Sequence, residues 1–310
     1  MRVLIAEHDH ARYAEILRAA APELEVLTSG DSAELARQAP QCPVWLGQPD
    51  LLASLLRQGH KPGWVQSTWA GITPLLAEGL PRDYRLTRAV GIFGQVMAEY
   101  MLTYMLGHER EVLSRLVSQV ERRWDDRPGR TLEGRKVLIV GTGDIGQRVA
   151  EFLQAFGVVL YGVASSARKQ APFVEVAALA DLPRMVGQAD YVLNLLPDTP
   201  ATHDLYDAAL FKCFQPTALF INAGRGVAVV DADLVEALKD GHLAGAVIDV
   251  CRQEPLPRQH PFWTAWGLLL TGHSSAPTSP AAMVRLFVEN VRAYVAGQGL
   301  RGEVDFARGY

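Results

Sequence analysis

The stretch Val137-Leu-Ile-Val-Gly-Thr-Gly-Asp-Ile-Gly146 decides how this chain is read. Its four apolar residues, Val137 to Val140, suit a buried parallel strand, and from Ile145 to Phe156 apolar side chains recur at helical spacing. Gly141, Gly143 and Gly146 therefore fall in a strand-to-helix turn with the G-x-G-x-x-G spacing of a dinucleotide-binding fingerprint. In such a turn the first glycine permits the tight bend and the second lets backbone approach a pyrophosphate. The third lets helix and strand close up, with the helix N-terminus facing the phosphates. The segment Gly141, Thr142, Gly143, Asp144, Ile145 and Gly146 is the expected cradle.

The next strand, Val158 to Val163, predicts which nucleotide fits. NAD-selective folds place an acid about 20 residues beyond the glycines, where it binds the ribose hydroxyls. Here that region reads Ala164, Ser165, Ser166, Ala167, Arg168, Lys169, with no acid. Arginine can grip a phosphate through two parallel hydrogen bonds and lysine adds a point charge, so Ser165, Ser166, Arg168 and Lys169 suit a 2'-phosphate. NADP(H) is expected first and NAD(H) second.

Outward from this centre, strand and helix alternate. Arg2 to Ala6, Glu25 to Thr28, Val44 to Leu46, Trp64 to Ser67 and Arg85 to Thr87 read as short strands, with helices at Ala11 to Ala20 and Ser32 to Gln38. One long helix is expected from Gln95 to about Arg123. Further strands follow at Tyr191 to Leu195, Ala218 to Asn222, Gly245 to Val250 and Leu268 to Thr271, and a last helix from Pro280 to Val295 returns to the first domain. The predicted fold is α/β: two Rossmann-like or flavodoxin-like domains with parallel sheets, the cofactor domain (94–279) inserted into a substrate domain made of 1–93 and 280–310.

The 310 residues suffice for about two domains, and 49% hydrophobic with 21% charged residues is ordinary globular composition. A net charge of -4 and a pI near 6.1 give no basic excess for nucleic acid or an anionic membrane. No apolar run reaches the ~18 residues of a membrane helix, and Met1 to His10 turns charged after one short strand instead of forming a signal peptide. Cys42, Cys213 and Cys251 are few and scattered, which suits buried thiols in a reducing compartment and argues against structural zinc. Among the histidines only His8 and His10 are close, without further ligands nearby, so no metal is expected. The expected location is the cytoplasm.

Three polar residues stand just beyond strand ends: Arg225, Glu254 and His273. Ligands of open α/β sheets bind outside the carboxyl ends of the strands, so these side chains are expected to converge. Reducing a ketone needs a proton donor and a fixed cation for the developing charge on oxygen. Histidine supplies the first and arginine the second, with Glu254 orienting the imidazole. The strand-end segments that would face the cofactor include Leu196, Pro197, Ala223 and Asp249.

The segments NAGRG (222–226), IDV (248–250) followed by EPLP (254–257), and TGHSSA (271–276) resemble, in order and spacing, the D-isomer-specific 2-hydroxyacid dehydrogenases. The LLPDTPATH segment (195–203) and the tail GEVDFARGY (302–310) resemble the glyoxylate/hydroxypyruvate reductase A group of that family, which uses NADPH. The resemblance implies that Arg225 binds and polarises a 2-oxo acid, that His273 is the acid/base and Glu254 its partner. It also implies that Ala70 and Gly71, in WAGI (69–72), hold the substrate carboxylate with Arg225. Two departures stand out. Gly272 replaces a proline usual before the histidine, which loosens the expected placement of His273, and the aromatic residue usual near Cys251 is missing.

Met97, Met101 and Met105 with Tyr100 and Tyr104 form a stripe of the kind that is usually core. The resemblance implies that this helix also serves a two-fold dimer and that Trp124 reaches a neighbouring subunit. The expected enzyme is thus a homodimeric NADPH-dependent reductase of glyoxylate or hydroxypyruvate, with a small-molecule substrate as its partner. The alternatives are a dehydrogenase of a bulkier 2-hydroxy acid and a nucleotide-sensing binding protein on the same fold. Because the chain ends soon after its last helix, no added control domain is expected.

Overall fold

In chain order the first elements are β1 (Arg2–Ala6), α1 (His10–Ala20), β2 (Glu25–Thr28), α2 (Ser32–Gln38), β3 (Val44–Gly47), α3 (Pro49–Arg57), β4 (Trp64–Ser67) and β5 (Arg85–Thr87). This computed structural model describes residues 1–307 and Gly309; Arg308 and Tyr310, in the tail quoted above, lie outside the described residues. All five strands pair parallel, in the order β2-β1-β3-β4-β5. Parallel strands covered on both faces are buried throughout, as β3 and β4 are; β3 has no polar side chain, whereas β4 also buries the polar Gln66 and Ser67.

The middle of the chain supplies α4 (Gly94–Glu109), α5 (Val112–Val120), β6 (Lys136–Val140), α6 (Asp144–Leu153), β7 (Val159–Ala164), β8 (Glu175–Ala178), α7 (Leu182–Val186) and β9 (Tyr191–Asn194). It continues with α8 (Ala208–Phe211), β10 (Leu219–Asn222), α9 (Asp231–Lys239), β11 (Gly245–Ile248) and β12 (Leu268–Leu270). These strands form one parallel sheet in the order β12-β11-β10-β9-β6-β7-β8. The sequence of strands reverses between β6 and β9, where doubly wound sheets open a ligand crevice. Its core includes Leu138, Val140, Val192, Phe211 and Phe220.

The chain divides into one unit of Met1–Ile92 with Thr278–Tyr310 and a second of Phe93–Pro277. The last helix, α10 (Pro280–Val295), belongs to the first unit and packs on α1. Trp64 stacks on Phe287 and Tyr294 of α10 with ring centroids 5.2 Å apart in both cases. Asn290 donates to the buried Gln66 at 2.9 Å. Such buried polar bonds fix where a helix docks, because a displaced helix would leave the groups unpaired.

The single helix expected from Gln95 to Arg123 is two helices. Glu111 takes a left-handed φ of +52° between α4 and α5, which no residue other than glycine signals from sequence. Near that break Glu109 is 2% exposed, accepting from Tyr191 at 2.6 Å and pairing with Arg130 and Arg135 at 2.9 Å each. Met97, Met101 and Met105 are core. By contrast α5 leaves Leu113, Leu116, Val117 and Val120 exposed, with Trp124 beyond it 89% exposed. The cysteines are unpaired; Cys42 is buried, but Cys213 and Cys251 are only half-buried, correcting the expectation of three buried thiols. Among the described residues no helix is long and apolar enough to cross a membrane, and no three potential metal ligands cluster.

Candidate active site

The glycine turn joins β6 to α6. Gly141 has a φ of +108°, and a Cβ there would stand 2.9 Å from the Leu195 carbonyl carbon, so both backbone and neighbours require glycine. At Gly146 a Cβ would meet the Gly141 oxygen at 2.0 Å, which is the close helix-to-strand approach. At Gly143, the residue capping α6, nothing lies within 4 Å of that position. Space at Gly143 with the α6 N-terminus beside it is a cradle that fits a pyrophosphate, and the amides of Thr142 and Gly143 donate to no described residue. Asp144 and Ile145 begin the helix.

Ser165 and Ser166 lie exposed just past β7, followed by the exposed Arg168 and Lys169. Arg168 reaches back to the turn: its Nη2 donates to Thr142 Oγ1 at 2.7 Å and its Nε to Gln170 Oε1 at 2.7 Å. Lys169 has no ion pair among the described residues. Across the reversal point, Leu196 is buried, Pro197 is exposed and its carbonyl accepts from Thr202 at 2.8 Å. Ala223 donates its amide to Asn194 at 3.2 Å.

The three strand-end residues leave β10, β11 and β12. Asn222, fully buried, accepts from the Gly224 amide at 3.2 Å and donates to the Arg225 carbonyl at 3.2 Å, so it shapes the loop that carries the arginine. Arg225 is half-buried, with Nη1 donating to the Gly224 carbonyl at 2.6 Å and no carboxylate in ion-pair range among the described residues. Burial pushes the guanidinium's pKa down from its ordinary value while Asp198 and Glu254 pull it up; an arginine still keeps its charge near neutrality. Gly226 sits against the Cys251 carbonyl, where a Cβ would approach to 2.0 Å, bringing this loop beside the one that holds Glu254.

His273 Nδ1 lies 2.7 Å from Glu254 Oε2, and Glu254 Oε1 accepts the Cys251 amide at 2.8 Å. His273 Nε2 has no partner among the described residues, and the side chain is 51% exposed. Gly272 and His273 both have left-handed backbone, with φ of +69° and +55°. Proline holds φ near -65° and cannot adopt the +69° of Gly272, so this backbone requires a residue such as glycine. The loosening expected from Gly272 is countered: the His273 amide donates to the Asp249 carbonyl at 2.6 Å. Asp249, 1% exposed, accepts from Thr271 Oγ1 at 2.6 Å and from the amides of Ser274 and Ser275 at 2.8 and 3.2 Å. Its carboxylate is therefore engaged by the histidine loop.

In the first unit Ala70 and Gly71 follow β4, half-buried, and their amides donate to no described residue. Their neighbour Trp69 is anchored by its amide to Ser67 Oγ at 3.0 Å and by its carbonyl to the Ala89 amide at 3.1 Å.

Thr271, Ser274, Asn222 and Gln170 were not singled out from sequence. The signal available for Asn222 was a polar residue closing an otherwise apolar strand; the others act through partners far along the chain.

A model of the family "D-isomer specific 2-hydroxyacid dehydrogenase, NAD binding domain" matches residues 102–275, more than half of the chain. A glyoxylate/hydroxypyruvate reductase A of Serratia proteamaculans is 32% identical over 286 residues, 88% of each chain. A D-isomer specific 2-hydroxyacid dehydrogenase family protein of Aeromonas salmonicida superposes with a TM-score of 0.92 at 37% identity, over 98% of this chain and 99% of that one. The NADPH-dependent glyoxylate/hydroxypyruvate reductase of Sinorhizobium meliloti, solved with NADP and sulfate, superposes with a TM-score of 0.86 at 28% identity, over 100% of this chain and 99% of its own. This chain belongs to the D-isomer-specific 2-hydroxyacid dehydrogenase family and is an NAD(P)-dependent oxidoreductase of that class.

Proposed function

We propose that the protein reduces small 2-oxo acids, glyoxylate and hydroxypyruvate, to 2-hydroxy acids with NADPH. The observation that carries this reading is the His273 to Glu254 pair at 2.7 Å, which leaves Nε2 unengaged, while the half-buried Arg225 is near enough to Glu254 to be influenced by its charge. NADPH, when bound, supplies the hydride that adds to C2 of the oxo acid. His273 Nε2 delivers a proton to the carbonyl oxygen, and Glu254, accepting from Nδ1-H, holds the ring in place. Arg225 draws electron density toward that oxygen and binds the carboxylate. Within the first unit, the open amides of Ala70 and Gly71 are those we assign to the carboxylate. Gly141, Thr142, Gly143, Asp144, Ile145 and Gly146 take the pyrophosphate, and Ser165, Ser166, Arg168 and Lys169 the 2'-phosphate, which favours NADPH over NADH.

The exposed apolar face of α5 with Trp124 is the surface we assign to a homodimer, since monomers rarely leave such a row in water. The unpaired Cys42, Cys213 and Cys251 support a reducing compartment, and we assign the protein to the cytoplasm. Relatives named glyoxylate/hydroxypyruvate reductase support the small substrates. Initial rates with glyoxylate, hydroxypyruvate, pyruvate and phenylpyruvate, each with NADPH and NADH, test the reading. Fastest turnover of glyoxylate or hydroxypyruvate with NADPH is expected. Preference for phenylpyruvate would overturn the substrate, and tight cofactor binding without turnover would overturn the activity.

A further inference from the structure

Gln170 stands at the centre of a polar network that the reaction itself does not require. Its Oε1 accepts from Arg168 Nε at 2.7 Å and from Thr142 Oγ1 at 3.2 Å. Its Nε2 donates to the Thr142 carbonyl at 2.9 Å and to Gln147 Oε1 at 2.6 Å. Gln147 in turn donates to Glu151 at 3.0 Å and to the Ala171 carbonyl at 2.8 Å. One half-buried side chain thus joins the loop after β7, the glycine turn and the first turns of α6.

The consequence falls on Arg168. A guanidinium has five N–H groups in a rigid plane. Here Nε is spent on Gln170, and Nη2 on the hydroxyl and carbonyl of Thr142 at 2.7 and 3.3 Å. The backbone of Arg168 is also fixed, its amide donating to the Val176 carbonyl at 3.1 Å. Only Nη1 has no partner among the described residues. The side chain is exposed, carries no carboxylate partner and would otherwise sample many rotamers. With one edge tied down, its orientation is set before any nucleotide arrives, and binding a phosphate costs it less ordering.

We propose that Gln170 is a positioning residue that sets the preference for NADPH over NADH, by fixing the plane of Arg168 with Nη1 free for the 2'-phosphate. This rests on the reading of Arg168 as the phosphate's partner. Gln170 itself touches neither the phosphate nor the reacting atoms.

Calorimetric titration of the purified protein with NADPH, NADH, 2',5'-ADP and 5'-AMP tests it, using Q170L, Q170S and R168A. For Q170L and Q170S, Kd is expected to rise about tenfold for NADPH and 2',5'-ADP and to stay within twofold for NADH and 5'-AMP. Q170S, shorter and polar, guards against a result peculiar to an apolar replacement, and thermal melts confirm that each variant folds. Equal weakening of all four ligands would show that Gln170 only supports the glycine turn and would overturn the proposal, as would no change at all. R168A separates the two failures. If R168A loses NADPH selectively and the Gln170 variants do not, the Gln170 inference alone fails; if R168A weakens both cofactors equally, the phosphate assignment fails and the inference with it.

Discussion

Glu254 gives one oxygen to His273 Nδ1 at 2.7 Å and the other to the amide of Cys251 at 2.8 Å. The carboxylate is thereby held from both sides, and because an ionised carboxylate can only accept, the imidazole must carry its proton on Nδ1 when neutral. Nε2 is then the bare nitrogen of the neutral ring, and it is the atom we assign to the proton transfer.

Replacing His273 with Asn removes the acid/base and is expected to lower kcat by ~100-fold or more while the Kd for NADPH stays within twofold. E254Q turns an obligate acceptor into a group that can offer N–H to Nδ1, favouring the opposite tautomer, and should cost at least about tenfold in kcat. Steady-state rates beside cofactor titrations check both. Turnover of H273N at the parental rate would remove the residue from the mechanism.

Gly143 and Gly146 should respond in opposite ways to the same added methyl. G143A points its Cβ into space open to the pyrophosphate, so the melting temperature is expected to hold while NADPH binding weakens. G146A drives its Cβ to 2.0 Å from the Gly141 oxygen and should lower stability by about 2 kcal/mol or more. Melts and titrations of the pair distinguish phosphate approach from packing.

Acid should weaken the second unit through Glu109. Burial favours its neutral form, but bonds from Tyr191, Arg130 and Arg135 outweigh this and hold its pKa below the ordinary glutamate value. A carboxylate depressed on folding contributes fully above its unfolded pKa, and the contribution is lost as pH falls through the lower folded value. E109Q is expected to cost about 1.5 kcal/mol near neutrality, because it weakens the charge-assisted bonds from the buried Tyr191 and from Arg130 and Arg135, which water still reaches. The gap in melting temperature between parent and variant should narrow as pH falls below about 4. A gap independent of pH would mean that packing, not charge, is what the substitution removed.

The α5 face can be tested by charge. L113E/L116E places two carboxylates in the exposed apolar row and should convert a dimer to a monomer in light scattering, with the secondary structure kept. A parent protein that is already monomeric at micromolar concentration would remove the dimer assignment.

Most strands of both sheets were legible because parallel strands are unbroken apolar runs, as in Val137 to Val140, and the helices between them have their own period. What was not legible has physical reasons. Glu111 and His273 adopt left-handed backbone without being glycine, so neither the break between α4 and α5 nor the turn at the histidine is signalled locally. The strand β8, Glu175–Ala178, has no alternation and pairs only at the sheet edge. In the site, Arg225, Glu254 and His273 could be picked because each follows a strand, whereas Gln170 looks like any polar loop residue until Thr142 and Gln147 are folded against it. Asp249 was read as facing the cofactor; its partners, Thr271, Ser274 and Ser275, are more than twenty residues away in sequence.

The interruption of the first unit by residues 93–277 has a bearing on how the protein is made. A ribosome delivers all of β1 to β5 early, yet α10, with Phe287 and Asn290 that cover Trp64 and Gln66, emerges only after the whole second unit. So does Thr278, whose hydroxyl bonds to the Thr68 carbonyl at 3.0 Å, next to Trp69. Until then Trp64 and Gln66 lack those partners, whereas the second unit, contiguous in sequence, has already been made in full. A chain cut just before Pro280 would therefore keep the second unit whole while Trp64 and Gln66 of the first lose their cover.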